Sequence, residues 1–188
     1  MRVLHAEGLR LEPVLPRNAA VLWGVLKEPG LREYQELPAV SAAEFAHMVE
    51  QRERRLDAES LGRFEWLIYP TGATQPVGWV SLRIPSGALR AGEIGYTLLP
   101  QARGRGYATR AVRALLAEAQ AVAVLAEIRA YCVPENQASR RVLERIGFRK
   151  TDLLRHGATV RGRAVDVVVY AYTSSGKSNQ TSARRKPA

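Results

Sequence analysis

Gln101-Ala102-Arg103-Gly104-Arg105-Gly106-Tyr107-Ala108-Thr109 is a basic, glycine-punctuated turn that follows an apolar strand and opens directly into a helix. Gly104 and Gly106 allow main-chain dihedrals that a Cβ would forbid, and they let the backbone approach a ligand closely. The first N–H groups of the helix and its dipole favour negative charge, to which Arg103 and Arg105 add two cations. Such a turn suits a pyrophosphate. Before it, Ala91 to Leu99 reads as a strand; after it, Ala108, Val112, Leu115, Leu116 and Ala119 form a helical stripe. A P-loop would need Gly-Lys-Ser/Thr, whereas Tyr107-Ala108 follows Gly106. A dinucleotide fingerprint would need a third small residue where Thr109 stands, although Glu127 lies roughly 20 residues onward as an acidic ribose ligand would.

Gln101-x-x-Gly104-x-Gly106 resembles the Gln/Arg-x-x-Gly-x-Gly/Ala signature of the GNAT superfamily of acyl-CoA N-acyltransferases. A second segment, Asn136-Gln137-Ala138-Ser139 through Leu143-Glu144-Arg145-Ile146-Gly147-Phe148, is similar to the corresponding helix of its RimJ/RimL-like branch. With Leu9 to Pro13, Glu93 to Tyr96 and Gly162 to Tyr170, the likeness spans about residues 9 to 173. It implies an α/β GNAT fold: a mixed, mostly antiparallel sheet, splayed between the motif strand and the next one and flanked by about four helices. It also implies acetyl-CoA as co-substrate, gripped through Leu98, Leu99, Gln101, Arg103, Gly104, Arg105, Gly106, Tyr107, Ala108 and Thr109.

The coarse pattern agrees with that order of elements. Residues 9–14 read as a strand and 17–27 as a helix; Ser41 and Glu44 form a capping box for a helix read on to about Leu61. Strands follow over 63–69 and 77–84, then the motif strand and helix. Another strand runs from Glu127 to Val133 and a helix from Asn136 to Ile146, closed by Gly147. A final hairpin turns near Arg161-Gly162-Arg163.

A chain of 188 residues, 46% of them hydrophobic, suffices for one core and is short for two, so residues 1–173 are expected to form a single domain. Residues 174–188 hold four cations, no acid and nothing apolar larger than Ala, which leaves +6 of the total +10 on residues 1–173. That tail is expected to be disordered, as a solubilising end or as a tether to RNA or ribosomes. No stretch approaches the roughly 18 apolar residues of a membrane span, and Met1 to Glu7 lacks a signal-peptide core. The expectation is a cytoplasmic protein with no membrane contact; a homodimer is left open. Cys132 alone excludes an internal disulfide. With His5, His47 and His156 scattered, no metal is expected.

Acyl transfer to an amine requires a deprotonated amine, a stabilised oxyanion and a proton for the departing thiolate. The resemblance assigns the oxyanion to N–H groups near Leu98 and Leu99, and Gly95 fits a bulge that would splay the sheet. Glu93 is the candidate base, sharing a strand face with Gly95 and Thr97; the alternatives are an Arg-paired strand carboxylate and a water chain serving an already partly neutral α-amine. The family's usual tyrosine before Glu-x-x-Gly-Phe is replaced by Leu143, so Ser139, four residues earlier, becomes the candidate proton donor. Asn136 is expected to bond the pantetheine amides, to cap its helix, or both, and Arg140 to reach a coenzyme phosphate. Arg141 and Arg145 read as a solvated face. The resemblance places the acceptor groove around Tyr34, Gln35, Glu36 and Arg155-His156-Gly157. The resemblance favours a protein or peptide N-terminal amine as its substrate, attacking directly in a ternary complex. The alternatives are a small-molecule amine, a non-catalytic coenzyme A sensor and a basic RNA-associated module.

Overall fold

The computed structural model describes residues 1–31, 33–36, 39–87, 91–123 and 125–173, so the tail expected at 174–188 lies outside the described residues. The elements run β1 (Leu4–Ala6), β2 (Leu9–Pro13), α1 (Ala19–Leu26), α2 (Ala42–Glu50), β3 (Gly62–Pro70), β4 (Gly78–Ile84), β5 (Ala91–Leu98), α3 (Tyr107–Val122), β6 (Glu127–Cys132), α4 (Gln137–Ile146), β7 (Arg149–Val160) and β8 (Arg163–Tyr172). The eight strands form one open sheet in the order β1-β2-β3-β4-β5-β6-β8-β7, antiparallel throughout except for β5 with β6. This is the mixed α/β GNAT fold that the sequence led us to expect.

Alternation along the strands sends side chains to two separate cores. Phe64, Trp66, Ile68, Val80, Leu82, Ile94 and Leu98 pack with the buried stripe of α3, from Ala108 to Ala119, and with Leu143 of α4. Leu67, Tyr69 and Trp79 point the other way, against Leu22 and Val25 of α1 and Phe45 and Val49 of α2. Helices α1 and α2 therefore cover one face of the sheet, and α3 and α4 the other.

Helix α2 is shorter than the sequence reading suggested. Its capping box forms, with Glu44 N–H donating to Ser41 Oγ at 3.2 Å and Ser41 N–H to Glu44 Oε2 at 2.7 Å, but the helix ends at Glu50. Beyond Val49, Leu56 is the one apolar residue larger than alanine before Leu61, so further turns would have no face to bury. Arg52 instead folds back onto the buried carboxylate of Glu65 on β3, which Arg63 also binds at 2.9 Å. Strand β1 was not foreseen; it is folded back on β2 through Gly8, whose φ is +68°. The β7–β8 hairpin turns at Arg161-Gly162, with φ of +51° and +72°, the left-handed pair of a two-residue hairpin loop.

One pairing detail positions the site. Strands β5 and β6 pair only where Ala91, Gly92 and Glu93 face Glu127, Ile128 and Arg129. Beyond them β5 continues beside β4 as far as Leu98, and β6 beside β8 as far as Cys132, so a gap opens within the sheet. The expected bulge at Gly95 is absent. The β4–β5 register runs unbroken from Gly78↔Leu98 to Arg83↔Glu93, and the gap arises because β6 turns away.

Candidate active site

The gap between β5 and β6 opens into a cavity of about 440 Å³. One end is lined by Arg103, Gly104, Gly106 and the first helical residues Tyr107, Ala108 and Thr109; the wall continues through Asn136, Ser139 and Arg141 of α4 and Tyr131 and Cys132 of β6. The other end is lined by Thr97 and by Glu33, Tyr34 and Gln35. The cavity thus passes through the sheet, from the α3/α4 side to the side covered by α1 and α2.

Gly104 and Gly106 take φ of +78° and +74°, and a Cβ on either would meet nothing within 4 Å, so left-handed backbone rather than crowding calls for glycine here. Arg110 N–H is the first to find a helical acceptor, Gly106 O at 3.2 Å, so the amides of the turn before it have no helical partner. These donors, with two glycines and the nearby arginines, fit a pyrophosphate. Arg103 itself is braced rather than free: Nε donates to Leu98 O at 3.3 Å, Nη2 to Gly30 O at 3.2 Å, and Nη1 lies 3.7 Å from Glu33 Oε2.

On the opposite wall, Asn136 Oδ1 accepts from Ser139 N–H at 3.0 Å, which makes it the N-cap of α4. Ser139 Oγ lies 2.8 Å from Tyr96 Oη, which also donates to Ser139 O at 3.0 Å. Burial pushes the Tyr96 phenol well above its ordinary value, an effect that its bond to Ser139 only partly offsets. Burial likewise pushes the Cys132 thiol up to about 11. On the acceptor side Thr97 Oγ1 donates to Gln35 Oε1 at 3.1 Å, and Gly162 N–H of the hairpin turn donates to Glu36 Oε1 at 3.1 Å. Segment 33–36 is thereby pinned to the motif strand, to the hairpin tip and, through Glu33, to Arg103.

Residues 9–149 match the acetyltransferase (GNAT) domain family. This chain belongs to the GNAT acetyltransferases. The probable N-acetyltransferase YjcK of Bacillus subtilis (strain 168) is 30% identical to it over 166 residues, covering 85% of this chain and 91% of YjcK. RimL, a ribosomal L7/L12 alpha-N-protein acetyltransferase solved in complex with coenzyme A, superposes with a TM-score of 0.76 at 19% identity, over 92% of this chain and 98% of its own. RimJ of Mycobacterium smegmatis, solved in complex with CoA-disulfide, superposes with a TM-score of 0.70 at 25% identity, over 92% and 86% of the two chains. The fold is that of the RimJ/RimL-like GNAT proteins, and the chain is an acyltransferase.

Against that frame, Leu98, Arg103, Gly104, Gly106, Tyr107, Ala108, Thr109, Asn136 and Ser139 gather around the cavity of this GNAT chain. Leu99, Gln101, Arg105, Arg140 and Glu93 lie outside its lining. Leu99 N–H is spent within the sheet on Val77 O at 2.8 Å; strand alternation turns the Leu98 N–H the other way, toward the gap. Arg140 is directed away from the cavity, its Nε donating to Tyr170 Oη and its Nη1 to Pro134 O, both at 3.3 Å. Arg141 and Arg145 are exposed, as read from sequence, and they also line the cavity. Glu93 sits on the acceptor-side face of β5, paired to Arg83 at 3.1 Å. Arg155 Nη1 is held by Asp166 at 2.5 Å, within the hairpin. Tyr96 is the site residue that sequence reasoning missed. Its signal was a phenol on the same strand face as Ile94 and Leu98, an apolar face in which a hydroxyl needs a partner.

Among the described residues no group of three or more His, Cys, Asp or Glu could hold a metal, and no helix is long and apolar enough to cross a membrane.

Proposed function

We propose that this acetyltransferase binds acetyl-CoA along the cavity and passes the acetyl group directly to the N-terminal amine of a protein or peptide. The observation that carries the reading is the passage through the sheet between β5 and β6. It has anion-binding amides at one end, a hydroxyl pair midway and a polar segment at the other end, so a thioester and an amine can meet from opposite faces.

In this reading the turn amides from Gly104 to Thr109 hold the pyrophosphate. Arg105 at the turn and Arg141 and Arg145 on α4 add exposed cations around it. Leu98 N–H is the donor in the gap for a developing oxyanion, and Ser139 is the hydroxyl for the departing sulfur. Asn136 fixes Ser139 through the main chain. Amine deprotonation falls to water on the acceptor side, where an α-amine with a reference pKa of about 7.7–8 is already partly neutral. Glu93 serves as the sink for that proton only through such water, since Arg83 holds its carboxylate outside the cavity.

The protein acceptor is favoured by the structural likeness to RimL, which is named for the N-terminus of a ribosomal protein. The test is calorimetric titration with acetyl-CoA, followed by a free-thiol assay over peptides with free N-termini, the same peptides blocked at the N-terminus, and small amines. Thiol release with free but not blocked peptides is the expected result. Release with small amines alone would move the acceptor class, and binding without release would make the chain a coenzyme sensor.

A further inference from the structure

The Tyr96–Ser139 hydroxyl pair joins two separate elements at the cavity wall. Tyr96 belongs to β5, at the lip where β6 has already left the sheet, and Ser139 belongs to the first turn of α4. The serine is held at two atoms: its N–H by Asn136 Oδ1 at 3.0 Å, its Oγ by Tyr96 Oη at 2.8 Å. Both residues line the cavity. Leu143, one turn further along α4, is 1% exposed and carries no hydroxyl, so the lining of this helix offers the sulfur no other O–H.

The geometry points to Tyr96 as the positioning residue that sets the direction of the Ser139 hydroxyl proton, and so decides whether Ser139 can hydrogen-bond a coenzyme thiolate. This rests on the acetyltransferase reading of the cavity. Tyr96 has one proton and two acceptors within reach, Ser139 O at 3.0 Å and Ser139 Oγ at 2.8 Å. When the phenol donates to the carbonyl, the serine proton satisfies Tyr96 Oη and points away from the cavity. When the phenol rotates its proton to Oγ, the serine proton is released toward the cavity and its bond to an anion is strengthened by the donor behind it. Covalent bonds to hydrogen stay intact in this exchange; two hydroxyl rotors turn together.

The tyrosine is suited to remain a donor throughout. Its burial holds the phenol protonated, and the titratable groups facing it are Cys132 from β6 and Tyr170 from β8. Tyr170 is in turn engaged by Arg140 and Glu144 of α4, at 3.3 and 2.9 Å. The Cys132 thiol, held up at about 11, is neutral over the working pH range and brings no competing charge.

Two measurements test this on the full chain. The first follows the ultraviolet absorbance of the thiolate of free coenzyme A bound to the protein as pH is raised, with desulfo-coenzyme A as the blank that removes Cys132 and the tyrosines. The bound thiol should ionise at lower pH in the wild type than in Tyr96→Phe, which keeps the ring and loses the hydroxyl. The second compares turnover of Tyr96→Phe, Ser139→Ala and the double variant. Tyr96→Phe should lower kcat about tenfold to a hundredfold with the KM for acetyl-CoA unchanged. In the Ser139→Ala background the same substitution should change kcat less than about threefold, because a residue acting through Ser139 has nothing left to act on. An equal loss in both backgrounds, a raised KM at constant kcat, or a thiol titration identical in wild type and Tyr96→Phe would each overturn the assignment. A wild-type chain that binds coenzyme A yet releases no thiol with any amine would refute the acetyltransferase reading itself, and this proposal with it.

Discussion

The rotation of α4 makes a sharp prediction, because it separates neighbouring arginines into two jobs. Arg141 and Arg145 line the cavity, whereas Arg140 reaches Tyr170 and Pro134 on its far side. Replacing Arg141 and Arg145 together by Ala removes two exposed cations from the cavity wall. Exposed charge pairs contribute about 0.2–1 kcal/mol each, so the pair should weaken acetyl-CoA binding by about 2-fold to 30-fold. The contribution is electrostatic and solvent-accessible, so it should shrink as the screening length falls from about 30 Å at 0.01 M salt to about 10 Å at 0.1 M. Calorimetric titration at those two ionic strengths reads both effects: the wild-type affinity should fall more steeply with salt than that of the double variant. Arg140→Ala should leave the affinity within about twofold at both salt concentrations, since this side chain faces away. What it loses is the link to Tyr170 and Pro134, read as a lower Tm. Loss of affinity in Arg140→Ala with none in the Arg141/Arg145 variant would refute this division of roles.

Four further outcomes are expected. Alkylation of Cys132 in the native chain at pH 8 should be slow, because a thiol held at about 11 is only about one part in a thousand thiolate there, and coenzyme binding should slow it further; rapid labelling, followed by mass, would contradict the burial argument. The same group gives a sign for stability: the folded value lies above the reference value of 9.0, so its contribution is present below pH 9 and is lost as pH rises toward 11, which melting curves across that range can check. Arg52→Met should destabilise the domain by about 1–3 kcal/mol, because Glu65, 4% exposed, loses one of its two arginine partners; adding Glu65→Gln should restore part of the lost Tm. Finally, Glu93→Gln should leave kcat within about threefold and shift the pH-rate profile only slightly, as expected of a carboxylate working through water, and a loss of two decades would make it the direct base.

Local chemistry explains which parts of this molecule could be read in advance. The glycine turn, the capping box at Ser41, the Asn136 cap and the Gly147 stop, with φ of +110°, are decided within a few residues and formed where expected. What escaped depends on partners distant in sequence. Whether Leu98 or Leu99 offers its N–H to the gap is set by Val77 on the neighbouring strand. Which α4 arginine faces the cavity is set by the burial of Leu143 against the sheet, which fixes the roll of the helix. The sheet opens because β6 prefers β8, a pairing that no feature of Gly95 could reveal. Tyr96 fell between these cases: alternation placed it correctly among core residues, and only the position of Ser139 gave its hydroxyl a use.

Arg103 lies between two places that different molecules must fill. Its backbone belongs to the glycine turn, and its side chain is held by Gly30 and Glu33; Glu33 also bonds the Tyr34 hydroxyl, beside the segment fastened to Thr97 and Gly162. An anion bound at the turn would compete with Glu33 for that guanidinium, so occupancy on one side of the sheet would change how firmly the far side is held. Linkage of this kind is reciprocal: whatever factor the coenzyme applies to amine affinity, the amine must apply to the coenzyme. Glu33→Gln, which removes the charge over which the two compete, should bring that common factor close to one.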